Sequence, residues 1–170
     1  GLRLIHSDPQ TSGAGEWSIL AEYGSALFET GQAAVARQQL AEVWDNVRIL
    51  APSARSAMTL FELGAGDALV TYEQDALLAL QRGVALEIVV PPWTIVARHA
   101  AVIVDDNVTR AERPVAEALL RYLANDAGLQ TLAAHNLRPP SCQSDELGQL
   151  AEPFTVEDLG GWSTAYEELV

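Results

Sequence analysis

The chain has 170 residues and a mass of 18.3 kDa, enough for one large domain or two small lobes. Hydrophobic residues make up 49% and charged residues 19%, which allows a real core and argues against a disordered chain. Ten basic residues, every one arginine, face 23 acids for a net charge of −13. That balance argues against nucleic acid and anionic membrane surfaces as partners, because both need a basic footprint. The single cysteine, Cys142, rules out an internal disulfide framework and leaves too few thiols for a zinc or iron–sulfur site. The uncharged residues 88–97 include Pro91 and Pro92 and are too short to span a bilayer.

Read in chain order, strands and helices alternate. Residues 2–6 read as a strand, and the run from Ser7 to Gly15 as turn-rich. Residues 16–30 read as a helix with Trp17, Leu20, Ala21, Leu27 and Phe28 as its apolar stripe and Gly31 as its stop. Residues 32–45 form a second helix with Val35, Leu40, Val43 and Trp44 inward, and residues 47–50 a short strand. Ser53 opens a helix to Leu63, residues 68–72 read as a strand, and residues 73–81 as a helix. Residues 86–90 have the composition of a fully buried strand. Such alternation with short connections predicts an α/β fold with a largely parallel sheet.

Beyond the proline pair the character changes. Residues 95–105 read as one long strand or two short ones. Thr109-Arg110-Ala111-Glu112 is a capping-box pattern, with Pro114 near the first turn of a helix to about Asn125. A further helix reaches about His135, residues 137–153 read as a loop, and residues 161–169 as a closing helix. The boundary is expected at the proline pair, giving a ligand-binding lobe over 1–95 and a crossover strand with C-terminal helices over 96–170.

Three places carry candidate chemistry. Thr11-Ser12-Gly13-Ala14-Gly15 lies between a strand and a helix, where a parallel sheet opens its ligand crevice. Ser12 supplies a hydroxyl, and the small residues leave N–H groups open at a helix start, which suits an anion. Thr11 or Ser12 serves equally well as an N-cap alone. Ser53-Ala54-Arg55 repeats the arrangement, and Tyr72 stands at the end of the next strand. All three offer donors, and none offers an acid at that position.

Other patterns are weaker. Gly13-x-Gly15 and Gly64-x-Gly66 lack the third glycine of a dinucleotide fingerprint, and the second precedes a strand instead of following one. His6, His99 and His135 have no metal-ligand spacing and read as core or surface histidines. There is no Gly-x-Ser-x-Gly elbow, nucleophile–base pair or metal cluster, so neither an enzyme nor a cofactor is expected. Asp105-Asp106 and Glu167-Glu168 read as solvated ends, Trp17, Trp44 and Trp162 as core, and Cys142 as incidental.

Asp8-Pro9-Gln10-Thr11-Ser12-Gly13 running into Glu16-Trp17, with Ala21 and Gly24 beyond, resembles a segment of the periplasmic sulfate- and thiosulfate-binding proteins of ABC importers. Ser53-Ala54-Arg55 with Phe61 and Gly66-Asp67, and then Tyr72-Glu73-Gln74-Asp75-Ala76-Leu77, resemble that family's next block. Leu137-Arg138-Pro139, Phe154-Thr155-Val156 and Gly160-Gly161-Trp162 are similar to its C-terminal signature. The resemblance implies a type II periplasmic-binding-protein-like lobe. Its architecture would be a three-layer αβα arrangement with a mostly parallel sheet plus a C-terminal helical segment. A first lobe and a signal peptide would then lie upstream, and the full protein would be extracytoplasmic.

By the same resemblance, Ser12, Gly13 and Ala14 would hold a tetrahedral oxyanion through a hydroxyl and backbone N–H groups. Ala54 would add an N–H, with Thr11 in support and Arg55 as a charge-compensating neighbour. Tyr72 stands where the family usually has tryptophan, and Asp8 where it commonly has asparagine. Both departures bear on which oxyanion is bound. A donor-only pocket would take sulfate and reject hydrogenphosphate, whose proton needs an acceptor. Oriented dipoles can hold a dianion despite the negative net charge, since at physiological salt that charge is screened within about 8 Å. The implied partners are the oxyanion and importer permease subunits. The isolated chain is expected to bind sulfate only at millimolar concentration or above and to self-associate through uncovered apolar surface. The rival class is the effector-sensing domain of a transcription regulator with the same architecture.

Overall fold

The computed structural model describes residues 1–138 and 150–169. By packing, the chain forms two compact units, Gly1–Ala97 with Leu150–Val170, and Arg98–Gln149. Cys142 and Pro139 lie outside the described residues.

The first unit is built on three parallel strands, β1 (Leu4–Ser7), β2 (Val47–Ala51) and β3 (Ala68–Leu69), in the order β2-β1-β3. Between β1 and β2 run α1 (Gly13–Thr30) and α2 (Ala33–Trp44), and α3 (Ala54–Glu62) joins β2 to β3. All four residues of β1 are buried, as a central strand covered on both faces requires. Successive side chains point to opposite faces of the sheet. Ile5 therefore packs with Ala51 and Ala57, with Ile49, Phe61 and Leu69 around them, while His6 faces Glu22 and Trp44 on the α1–α2 side. Helices on both faces of a parallel sheet give the expected αβα layering.

Local sequence explains the helix ends. Helix α1 starts at Gly13, three residues earlier than its apolar stripe suggests, because the Ser12 carbonyl already accepts from the N–H of Gly15 (2.9 Å) and of Glu16 (3.3 Å). It stops at Gly31, whose φ of 68° favours glycine and whose N–H bonds back to Leu27. Ser53 caps α3 by accepting from the N–H of Ser56. Helix α4 (Glu73–Gln81) follows β3 with the expected bounds.

Three strand expectations are corrected. Residues 68–72 hold a strand only over Ala68–Leu69, because the pairing with β1 extends no further than Leu4 and Ile5. Residues 86–90 form no strand, and Val89 is 80% exposed. An apolar run becomes a buried strand only beside a ladder partner, and no described strand pairs with this one. Of residues 95–105, only Ile95 belongs to a strand, at the end of β4 (Trp93–Ile95). Its parallel partner is β5 (Glu152–Phe154), which begins inside the stretch 137–153 read from sequence as a loop.

Strand β5 also ties the C-terminal segment to α1. Phe154 is buried and its ring lies 4.9 Å from that of Phe28. A Cβ at Gly24 would run into the Phe154 ring, so the absence of a side chain there admits this contact. The closing helix α7 (Gly161–Leu169) has its expected bounds. It packs Ala165 against Leu20 and Val156, and Trp162 meets Trp17 edge-on at 4.7 Å.

The second unit contains a short 3₁₀ turn (Asp105–Asn107), α5 (Arg113–Leu123) and α6 (Asp126–Ala134). The reciprocal bonds anticipated at Thr109–Glu112 are present, with Glu112 accepting from the Thr109 N–H (3.0 Å) and hydroxyl (2.6 Å) and the Glu112 N–H donating to the Thr109 hydroxyl. They close the turn ahead of α5, whose N-cap is Glu112 itself. Asp105 is exposed and pairs with Arg113.

Candidate functional site

Because the three strands are parallel, their carboxyl ends share one edge of the sheet. The residues that follow each strand deliver the starts of α1, α3 and α4 to that edge. Thus Thr11–Ser12–Gly13–Ala14, Ser53–Ala54–Arg55 and Tyr72 are all placed there. The loops after β1 and β2 are joined directly, by the Asp8 N–H to the Ala51 carbonyl (2.8 Å) and the Thr11 hydroxyl to the Pro52 carbonyl (3.5 Å).

Ser12 and Ser53 occupy the same capping position and differ in what they bond. The Ser53 oxygen accepts from the Ser56 N–H and lies 3.0 Å from the Ser56 hydroxyl. Ser12 has extended backbone geometry (φ −140°, ψ 123°) and makes no side-chain capping bond. Its hydroxyl is therefore not taken up in capping α1. The first N–H groups of α1 carry the positive end of the helix dipole. Gly13 is exposed, and a Cβ there would meet nothing within 4 Å, so the turn is open at Gly13, whereas Ala14 is buried.

Tyr72 stands at the capping position of α4 and makes no capping bond through its side chain. Burial, and then the charges of Asp75 and Glu16, push its phenol above the ordinary value, so it stays protonated and able to donate. Burial also raises the Asp75 carboxyl, against the opposing charges of Arg55 and Arg82. The start of α1, through Glu16, and Arg55 of α3 thus each act on the first turn of α4. Arg55 itself is exposed. Neutral donors thus stand at this edge together with the side chains of Glu16, Asp75 and Arg55.

Sequence reasoning missed two features. The buried Thr71 hydroxyl oxygen, next to Tyr72, has no hydrogen-bond partner among the described residues. Its signal was only its place just beyond β3. The second lies beneath the edge: His6 is fully buried, its Nδ1 donates to the Ser7 carbonyl (2.7 Å), and its Nε2 lies 3.1 Å from Glu22 Oε1. The Trp44 indole donates to Glu22 Oε2 (3.0 Å), and its ring sits 4.7 Å from the imidazole. His6 was read as a core or surface residue and is core, whereas His99 and His135 are exposed. Among the described residues no group of three or more His, Cys, Asp or Glu side chains could hold a metal ion, and no helix is long and apolar enough to cross a membrane.

This αβα unit has the fold of a lobe of the solute-binding proteins. The family model of the bacterial extracellular solute-binding proteins matches residues 1–138, and the chain belongs to that family. It is 34% identical over 178 residues to the sulfate-binding protein of Escherichia coli (strain K12), covering 99% of this chain and 54% of that protein. It is 35% identical over 164 residues to the thiosulfate-binding protein of Pseudomonas aeruginosa, covering 94% of this chain and 48% of that one. The sulfate-binding protein SubI from Mycobacterium tuberculosis H37Rv, a solved structure, superposes with a TM-score of 0.83 at 23% identity over all of this chain and 60% of that one. That likeness shows the fold. The chain spans about half the length of the curated relatives it matches.

Proposed function

We propose that this chain is the ligand-binding part of an extracytoplasmic solute-binding component of an ABC importer, and that its ligand is a tetrahedral oxyanion, sulfate or thiosulfate. The Ser12 hydroxyl, the N–H groups of Gly13 and Ala14, the N–H of Ala54 and the Tyr72 phenol act as donors. Thr11 supports the loop and Arg55 offsets the neighbouring carboxylates. Importer permease subunits are the macromolecular partner, and no chemical step is catalysed.

The observation that carries this reading is the contrast between Ser53 and Ser12: one hydroxyl caps its helix and the other, at the same position, does not. Donors that face an anion form charge-assisted hydrogen bonds, about twice as strong as neutral ones. The names of the relatives support sulfate or thiosulfate as the ligand. The backbone N–H groups of Gly13, Ala14 and Ala54, which can only donate, support the same choice, since an oxyanion without a proton needs no acceptor. The test is calorimetric titration of the protein with sulfate, thiosulfate and phosphate. Heat with the first two and none with phosphate supports the reading. Equal binding of phosphate, or no binding of any of them, counts against it.

A further inference from the structure

We propose that His6 is a positioning residue for the start of α1: carried as the imidazolium, it grips the Ser7 carbonyl against which Gly15 rests, so that the order of the donor loop follows the His6 proton. Any effect on oxyanion affinity rests on the functional reading above.

Geometry makes the argument. The Nδ1 partner is a backbone carbonyl and the Nε2 partner is a carboxylate oxygen, and neither can donate when Glu22 is ionised. A neutral imidazole carries one N–H. It would leave one lone pair facing an oxygen at 2.7 or 3.1 Å in a fully buried site. The imidazolium satisfies both contacts. The other Glu22 oxygen accepts from the Trp44 indole N–H at 3.0 Å, so both carboxyl oxygens are engaged. The groups facing the ring from the helices packed on it are Glu22 of α1 and the neutral Trp44 of α2. Its strand neighbours Ile5 and Ser7, and Leu50 opposite on β2, carry no charge.

The link to the loop is equally direct. The Ser7 oxygen that His6 holds would lie 2.6 Å from a Cβ at Gly15, and the Pro9 nitrogen 2.5 Å from it. The first turn of α1 is thus built in close contact with the carbonyl at the end of β1. Burial lowers the His6 pKa, but the hydrogen bond and charge of Glu22, with the Ser7 carbonyl, outweigh it and raise the value above the ordinary 6.5. The charged form is thereby favoured over that of a free imidazole, and one of the two ring contacts loses its proton as pH rises through the raised value.

The test is an NMR titration of the ¹⁵N-labelled chain. At neutral pH both His6 ring nitrogens should show imidazolium shifts, and the amides of Gly13, Ala14 and Gly15 should titrate with the same midpoint as the ring. Glu22→Gln should move both midpoints to lower pH together. A ring that is neutral at neutral pH overturns the proposal, and so do loop amides that titrate independently of it. Because these readouts on the unsubstituted chain need no ligand, they decide the matter even where Glu22→Gln fails to fold. Sulfate titration is a separate arm: affinity should fall about tenfold as pH rises through the ring's midpoint, in the usual range for two coupled sites. Sulfate binding at no pH counts against the functional reading while the ring and loop midpoints still decide the role of His6. Affinity that ignores the ring midpoint overturns the coupling.

Discussion

Gly15 and Ser7 are in such close contact that a side chain on the glycine has nowhere to go: its Cβ would lie 2.6 Å from the Ser7 carbonyl oxygen. The turn between β1 and α1 thereby brings the helix start down onto the strand end, where the donors of Ser12, Gly13 and Ala14 are presented. Gly15→Ala forces backbone apart, since the obstructing atoms belong to the main chain. Overpacking of this kind costs about 1–3 kcal/mol. The expected result is a lower urea midpoint together with weakened anion binding. A variant of unchanged stability would show that the loop accommodates the methyl group.

The two serines give a paired prediction. Ser53→Ala removes a capping bond and should cost about 1 kcal/mol of stability. Ser12→Ala removes no capping bond and should leave the urea midpoint nearly unchanged. Its effect should appear in the oxyanion affinity of the full-length protein, weakened by about 1.5–3 kcal/mol, the scale of one hydrogen bond to a charged group. Denaturant curves and calorimetry on both variants separate the cases. Unchanged affinity in Ser12→Ala removes that hydroxyl from the site.

Tyr72→Phe tests the phenol at the position where the resemblance leads one to expect tryptophan. The raised phenol keeps its proton throughout the physiological range, so the donor is lost only by mutation and not by pH. The expected outcome is weaker sulfate binding with little change in thermal midpoint. If affinity is the same, the ring packs and does not bind.

Stability should also depend on pH in a definite direction at each end. His6 has a raised value in the folded chain, so its contribution is fully present below its unfolded value and lost as pH rises through the folded one. Asp67, hydrogen-bonded to Arg3 and held at about 2, contributes above its unfolded value and loses that contribution as pH falls toward 2. That pair is exposed, so its effect should be small and weaken with salt. Thermal midpoints of the chain and of His6→Gln across the pH range check the first claim. Parallel profiles for the two would contradict it.

Periodicity, glycine stops and capping residues made the αβα alternation legible, and α4 and α7 were readable to the residue. Those signals are local. The run of residues 86–90 was misread because being a strand depends on a partner, which composition does not encode. Strand β5 was hidden for the converse reason: its pairing with β4 spans more than fifty residues of sequence and passes through Pro153. At the site, the helix starts were legible because small residues and hydroxyls mark them. The His6–Glu22–Trp44 cluster was not, because its members are sixteen and twenty-two residues apart and meet only when α1 and α2 fold over β1.

The most direct test of the account is to titrate the ¹⁵N-labelled 170-residue chain with sulfate at constant ionic strength and follow its backbone amides. Donation to an oxyanion deshields the donating N–H, so Gly13, Ala14 and Ala54 should move downfield together along one binding curve. The expected half-saturation is millimolar or weaker, about −4 kcal/mol or less favourable, and Ser12→Ala should weaken that curve. Amides of Gly13, Ala14 and Ala54 that stay still while sulfate shifts residues elsewhere would contradict the account.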